Sequence, residues 1–284
     1  MRPNDCIVTI SLLFATACPA ESDGPESADG STGQASSTGT PDAESTTSAA
    51  DDSTGDSGDT EASTGADEST SGSTGAPDTS GCGNVLYLNF DGATMSVGGQ
   101  DATMNSTSLP SFEGELAPYG GNQREAVTAR IVGLFAAYDL CIFDQRPADG
   151  DYTMVVFTDT TPEGFSTVVG IGGTIDCSNL LPNNVVFGLS AEADGVLLAN
   201  GVAHALGISY GLTTVDTPQC PTPAPCGDPE IMVPVIDNVE TRTFTDQCWN
   251  TASPGCTSAN AEFCNDGGQN SHQYLLDVLG PAPG

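Results

Sequence analysis

The chain contains no lysine, and five arginines are all that oppose its 38 acidic residues, which leaves a formal net charge of −33. Binding to nucleic acid requires clustered cations to neutralise phosphates, so that class of function is excluded. Attraction to anionic lipid headgroups is excluded on the same ground. Histidine is almost as scarce: His204 and His272 are the only two. The one Gly-x-Ser-x-Gly spelling, Gly207-Ile-Ser-Tyr-Gly211, follows a predicted helix rather than sitting at the strand-to-helix turn that a nucleophile elbow requires, and two histidines leave little for a serine or cysteine triad. No Cys-x-x-Cys pair occurs either, which removes the usual zinc–thiolate sites. No apolar run reaches the roughly 20 residues needed to span a bilayer as a helix. From residue 19 to 81 there is no aromatic or large aliphatic side chain at all.

What is present divides the chain into three. Residues 1–17 carry Arg2 and then a mostly apolar run, Ile7 to Ala17, of the length of a signal-peptide core. Ala15-Thr16-Ala17 leads directly into Cys18, which resembles the bacterial lipoprotein signal, where cleavage falls before a cysteine that becomes lipidated. Ala15 stands where that pattern usually has leucine, and ordinary cleavage nearby, with Cys18 a bystander, is the alternative. The resemblance implies lipid attachment at Cys18 and a place in the cell envelope, on the outer surface or in the periplasm. Residues 18–81 repeat Ser-Thr-Gly among Asp, Glu, Ala and Pro. Such a segment cannot bury enough apolar surface to offset its ordering entropy, so a solvated acidic tether is expected.

Residues 82–284 have the composition of a globular domain, and about 200 residues suffice for a sizeable core. The domain holds Cys82, Cys141, Cys177, Cys220, Cys226, Cys248, Cys256 and Cys264. An even set in an exported chain predicts up to four disulfides, in any of 105 pairings. A first strand is predicted at Asn84–Asn89. A helix is predicted from Asn122 to Tyr138, with Val127, Ile131, Leu134 and Phe135 on its apolar face. Further strands are predicted at Cys141–Phe143, Tyr152–Phe157, Ser166–Ile171 and Asn184–Ser190. Ser190 is the expected cap of a second helix running from Ala191 to about Leu206, with Glu192 and Asp194 at its positive end. A short helix near Gln269–Leu279 closes the chain. This order predicts an α/β or α+β domain. Asp149, Asp151 and Asp266 lack the spacing of a calcium loop and read as solvated acids.

The second helix ends in Ala199-Asn-Gly-Val-Ala-His-Ala-Leu-Gly-Ile-Ser-Tyr-Gly211, and here the sequence resembles the metzincin clan of zinc metalloproteases. That family's signature is His-Glu-x-x-His-x-x-Gly-x-x-His: two histidines on one helix face bind zinc, the Glu serves as base, and the Gly turns the chain so that a third ligand swings back. His204 matches the second histidine and Gly207 the turn glycine. Asn200 stands at the first histidine, Gly201 at the catalytic Glu, and Tyr210 at the third histidine. The family also carries a Met-turn below the metal, and Pro229-Glu-Ile-Met-Val-Pro234 offers Met232 for it.

The resemblance therefore implies a twisted mixed sheet packed with an active-site helix and a C-terminal helix. It also implies a vestigial metal site of His204, Asn200 and Tyr210, with no catalytic residue because Gly201 replaces the base. A lone imidazole cannot supply the roughly 10–16 kcal/mol of a full structural zinc site. Ionising Tyr210 at pH 7 would cost about 4 kcal/mol before any bond formed. No cofactor is expected, zinc being the only one the resemblance raises. The expected partners are a peptide or protein ligand and, through Cys18, a membrane. The readings this leaves open are an exported pseudo-metalloprotease that binds without cutting, a metalloprotease with a remodelled site using His204, Tyr210 and an acid or His272, and a structural cell-surface protein.

Overall fold

The computed structural model describes residues 8–9, 75–189, 193–216, 229–251, 256, 263–264 and 268–284. The tether, Cys18, Cys220 and Cys226 lie outside the described residues, apart from the tether's last seven positions.

Five strands form the main sheet: β1 (Asn84–Asn89), β2 (Leu140–Phe143), β3 (Thr153–Thr158), β4 (Gly170–Gly172) and β5 (Val185–Leu189). Their spatial order is β2-β1-β3-β5-β4. The first four in that order run parallel, and β4 alone is antiparallel, on the edge beside β5. Side chains alternate across a strand, so each strand feeds two cores. Leu86, Leu88, Val155, Phe157 and Val186 face α1 (Arg124–Phe135) and α2 (Gly195–Ser209). Tyr87, Met154, Val156, Val185 and Phe187 face the opposite way, onto Met95, Ala102, Phe112 and Leu116. Every residue of β3 is buried, as expected for a central strand covered on both faces.

The second core is roofed by a small sheet of Ala93–Val97, Ser106–Thr107 and Gly114–Leu116, where Phe112 stacks on Phe187 at 4.0 Å. Another small sheet joins Val215–Asp216, Cys248–Thr251 and Gln269–Asn270 ahead of α3 (Ser271–Leu279). Val8 and Thr9, within the segment read as a signal peptide, pair antiparallel with Ile236 and Val235.

The mixed α/β class holds, and β1 has its expected bounds. Two expectations need correction. The strand expected over Ser166–Ile171 is confined to Gly170–Gly172, because turn bonds from Phe165 N–H to Pro162 and from Val168 N–H to Phe165 coil the preceding chain. The second helix begins at Gly195 rather than Ala191, capped by Asp194. The Asp194 carboxylate accepts from the N–H of Val196 at 2.8 Å and of Leu197 at 3.4 Å. Gln123 Oε1 takes a third free donor, the Gly195 N–H, at 2.7 Å. Asp194→Ala is expected to cost about 1 kcal/mol, or roughly 2–4 °C of melting temperature, checked by thermal unfolding.

Three disulfides are formed among the described residues: Cys82–Cys141, Cys177–Cys256 and Cys248–Cys264. The first ties the start of β1 to edge strand β2. Structural disulfides of this kind belong to an oxidising, extracytoplasmic compartment. Among the described residues no helix is long and apolar enough to cross a membrane.

Candidate functional site

α2 carries the signature-like residues, and fourteen of its fifteen positions are buried. A helix apolar on all sides belongs in a core rather than on a surface. One flank lies directly against β4, and glycine on both partners allows it. A Cβ placed on Gly201 would stand 2.3 Å from Val169 Cγ2, and one on Gly170 would stand 2.2 Å from the Gly201 carbonyl oxygen. The position of the catalytic Glu in the resembling family is thus a helix–strand contact with no room for a side chain.

Asn200 and His204, one helical turn apart, share a face covered by residues 229–239. Asn200 is 1 % exposed and uses its whole amide. Its Nδ2 donates to the carbonyls of Asp237 and Val239 at 3.0 and 3.1 Å. Its Oδ1 accepts from Nε and Nη2 of Arg130 at 3.3 and 3.2 Å. Arg130 also donates to the Arg242 carbonyl. Asn200 is therefore a tie between α1, α2 and the covering segment.

His204 is 1 % exposed, and its Nδ1 lies 3.1 Å from the carbonyl oxygen of Ile231. Burial holds its pKa down at about 4, against a smaller opposite pull from that carbonyl, so the ring is neutral at pH 7. A carbonyl can only accept, so the single ring proton is on Nδ1 and donates to Ile231. Nε2 then carries a bare lone pair, buried and without a partner among the described residues.

Met232 lies beneath the same helix, fully buried. A Cβ on Gly207 would meet its sulfur at 2.6 Å. Gly207 was expected to turn the chain, but it lies inside α2, which continues to Ser209. The turn comes at Gly211, at a φ of +105°, where a Cβ would strike the Tyr274 hydroxyl at 2.2 Å. Because helix persists past Gly207, Tyr210 is not swung back toward His204. Its ring meets Phe135 edge-on and lines a separate cavity with Asn84, Thr153 and Asn179. Burial pushes the phenol above its ordinary pKa. The structure thus brings together His204, Asn200 and Met232, and leaves Tyr210 and His272 elsewhere. His272 Nδ1 pairs with the Tyr138 hydroxyl at 3.0 Å.

These residues do not fit a zinc ion. His204 offers one lone pair, the Asn200 oxygen is engaged by a guanidinium, and no oxygen or nitrogen ligand comes from Gly201. Among the described residues no group of three or more His, Cys, Asp or Glu side chains is arranged to hold a metal.

A buried polar network under the site was not read from the sequence. Glu230 is fully buried, and burial raises its pKa. Its carboxyl group accepts from the Met232 N–H at 3.0 Å, the Thr245 N–H at 3.0 Å and the Thr245 hydroxyl at 2.5 Å. Arg242, 2 % exposed, donates to the Glu230 carbonyl at 3.0 Å and pairs with Asp237 at 2.6 Å. The available signal was scarcity: with five arginines in 284 residues, Arg242, set between Glu240 and Asp246, is a candidate anchor for buried carboxylates.

Comparison with protein-family models gives no match, and comparison with curated proteins gives none.

Proposed function

We propose that this chain is an exported, lipid-tethered domain of metalloprotease type that has lost hydrolysis and acts by binding a peptide or protein. One observation carries the reading: the three positions where this chain departs from the signature's ligands and base are all taken up by the fold. Asn200 spends its amide on Arg130 and two carbonyls, Gly201 packs on β4, and Tyr210 lines another cavity. The mixed sheet, its antiparallel edge strand beside α2, and Met232 under that helix support the family resemblance. Cys18 is the proposed anchor, and the three disulfides fit the exported location.

A remodelled zinc enzyme is the second reading, favoured only by the free lone pair on His204 Nε2. Both are tested on the oxidised, purified protein equilibrated with zinc at neutral pH. The expected result is zinc far below one ion per chain, with no chelator-sensitive cleavage of a labelled peptide pool and selective retention of some of its members. Stoichiometric zinc that disappears in His204→Asn would overturn the non-hydrolytic reading. Absence of any peptide enrichment would sink the binding role.

A further inference from the structure

A cavity of about 180 Å³ opens at the N-terminal ends of β1 and β3, away from the face that holds His204. Asn84, Asp151, Thr153, Asn179, Pro182 and Tyr210 are among the residues that line it. Two polar atoms of this lining are buried and, among the described residues, without a hydrogen-bond partner: the Tyr210 hydroxyl and Asn179 Oδ1. Tyr210 is itself only 1 % exposed; burial raises its pKa, and the Thr153 side chain, which approaches the hydroxyl without reaching hydrogen-bond geometry, opposes that rise. Native folds pair nearly all such atoms, so two in one cavity mark a place where a ligand or ordered water completes the structure.

The lining decides what kind of ligand. It contains one carboxylate, Asp151, and no cationic side chain. Asp151 is exposed and held by a 3.0 Å bond from Asn183 Nδ2. Asn179 Oδ1 accepts only, and the Tyr210 oxygen accepts as readily as it donates. A site dominated by acceptors, on a chain of net charge −33, selects a cation rich in N–H donors and repels carboxylate or phosphate.

Size and rim add a second requirement. At about 30 Å³ for each water-sized group, the cavity takes about six such groups. Val85 and Pro182 supply apolar wall, and Leu180 and Leu181 project from the same loop, 77 % and 42 % exposed. The loop is fixed by the Cys177–Cys256 disulfide and by the Ser178 N–H donating to the Tyr274 hydroxyl at 3.0 Å. Ser178 and Asn179 hold φ values of +66° and +48°, so the Asn179 amide is presented by a constrained backbone.

We propose that this cavity binds a primary ammonium on a short alkyl stem, either a lysine side chain of a partner polypeptide or a free alkylamine. The ammonium reaches Asn179 Oδ1, Tyr210 and Asp151, and the stem lies against Val85 and Pro182. The chain has no lysine, so a second copy cannot fill the site by this chemistry. This site stands independently of the reading of α2.

The test titrates the full chain with n-butylammonium chloride, with 1-pentanol as a neutral alcohol one carbon longer, and with the peptide acetyl-Gly-Lys-Gly-amide, followed by NMR or calorimetry at low salt. Saturable binding of n-butylammonium with a Kd of about 1 mM is expected for so few atoms, and none for 1-pentanol. Asp151→Asn, at an exposed position, should weaken binding by about tenfold through loss of the charge-assisted bond. Tyr210→Phe should weaken it several-fold without lowering the melting temperature, because it deletes an unpaired buried hydroxyl. Binding of the peptide as well as the amine supports a lysine source, and binding of the amine alone supports a free one. No saturation by either cation, equal binding of 1-pentanol, or an unchanged Kd in Asp151→Asn would overturn the proposal.

Discussion

Rewriting the first half of the zinc signature, with Asn200→His and Gly201→Glu together, is expected to unfold the domain rather than produce an enzyme. At position 201 the first side-chain atom would already stand 2.3 Å from Val169 Cγ2 and 3.1 Å from Val169 Cβ. Val169 leads straight into β4, and Gly170 is packed as closely on the Gly201 backbone, so relief requires β4 and α2 to separate. Overpacking costs about 1–3 kcal/mol even for an added methylene. A glutamate also brings a carboxylate into a buried contact with no cation facing it, at several kcal/mol more. At position 200 an imidazole cannot donate to two carbonyls while accepting from Arg130. Leaving that guanidinium and those carbonyls short of partners costs about 1–3 kcal/mol. The sum reaches at least about 5 kcal/mol, which is comparable to the entire stability of a typical domain.

Circular dichroism melts of the double variant should show a midpoint lowered by at least about 10 °C, at 2–4 °C per kcal/mol for this size, or no cooperative transition. Gly201→Ala alone should show a smaller fall, of the overpacking size. A double variant that melts like the parent and retains zinc would reopen the enzyme reading.

The parts of this fold that local chemistry dictates were legible in the sequence. Asn84–Asn89 forms β1 as expected from an apolar run between polar ends, and Val127, Ile131, Leu134 and Phe135 all face the core from α1. Local signals misled where two competed: Ser190 and Asp194 are both good cap residues, and the helix starts at the second, where the Gln123 side chain, from 72 residues away, also takes the Gly195 N–H. The site was less legible for the same reason. The family resemblance assigned Gly207 to a turn, whereas its small size serves Met232, 25 residues on, and Gly211 makes the turn. Gly201 reads as a deleted base in the sequence and as half of a glycine contact in space. Nothing within a few residues of Asn200 announces Arg130, and nothing beside Glu230 announces Thr245.

Acidification is expected to destabilise the domain through His204, with Glu230 acting in the opposite sense. The His204 pKa is about 4 when folded and 6.5 when free. The unfolded chain therefore takes up the proton first, and stability is lost as pH falls from about 6.5 to about 4. Two and a half pKa units correspond to about 3 kcal/mol for this fully buried ring, all of it present above pH 6.5 and gone below pH 4. Glu230 has its folded pKa raised above the ordinary 4.5. The folded state then binds that proton first, so Glu230 adds stability as pH falls through its raised value toward 4.5. The two residues belong to one assembly, since the Ile231 carbonyl that receives the His204 proton is adjacent to Glu230, and their titrations partly cancel in the parent. Denaturant unfolding between pH 4 and 8 should separate them. Glu230→Gln should steepen the acid loss, and His204→Asn, which keeps an amide donor for Ile231, should flatten or reverse it. If His204→Asn loses stability over this range as steeply as the parent, the acid sensitivity arises elsewhere and the buried neutral ring is not its source.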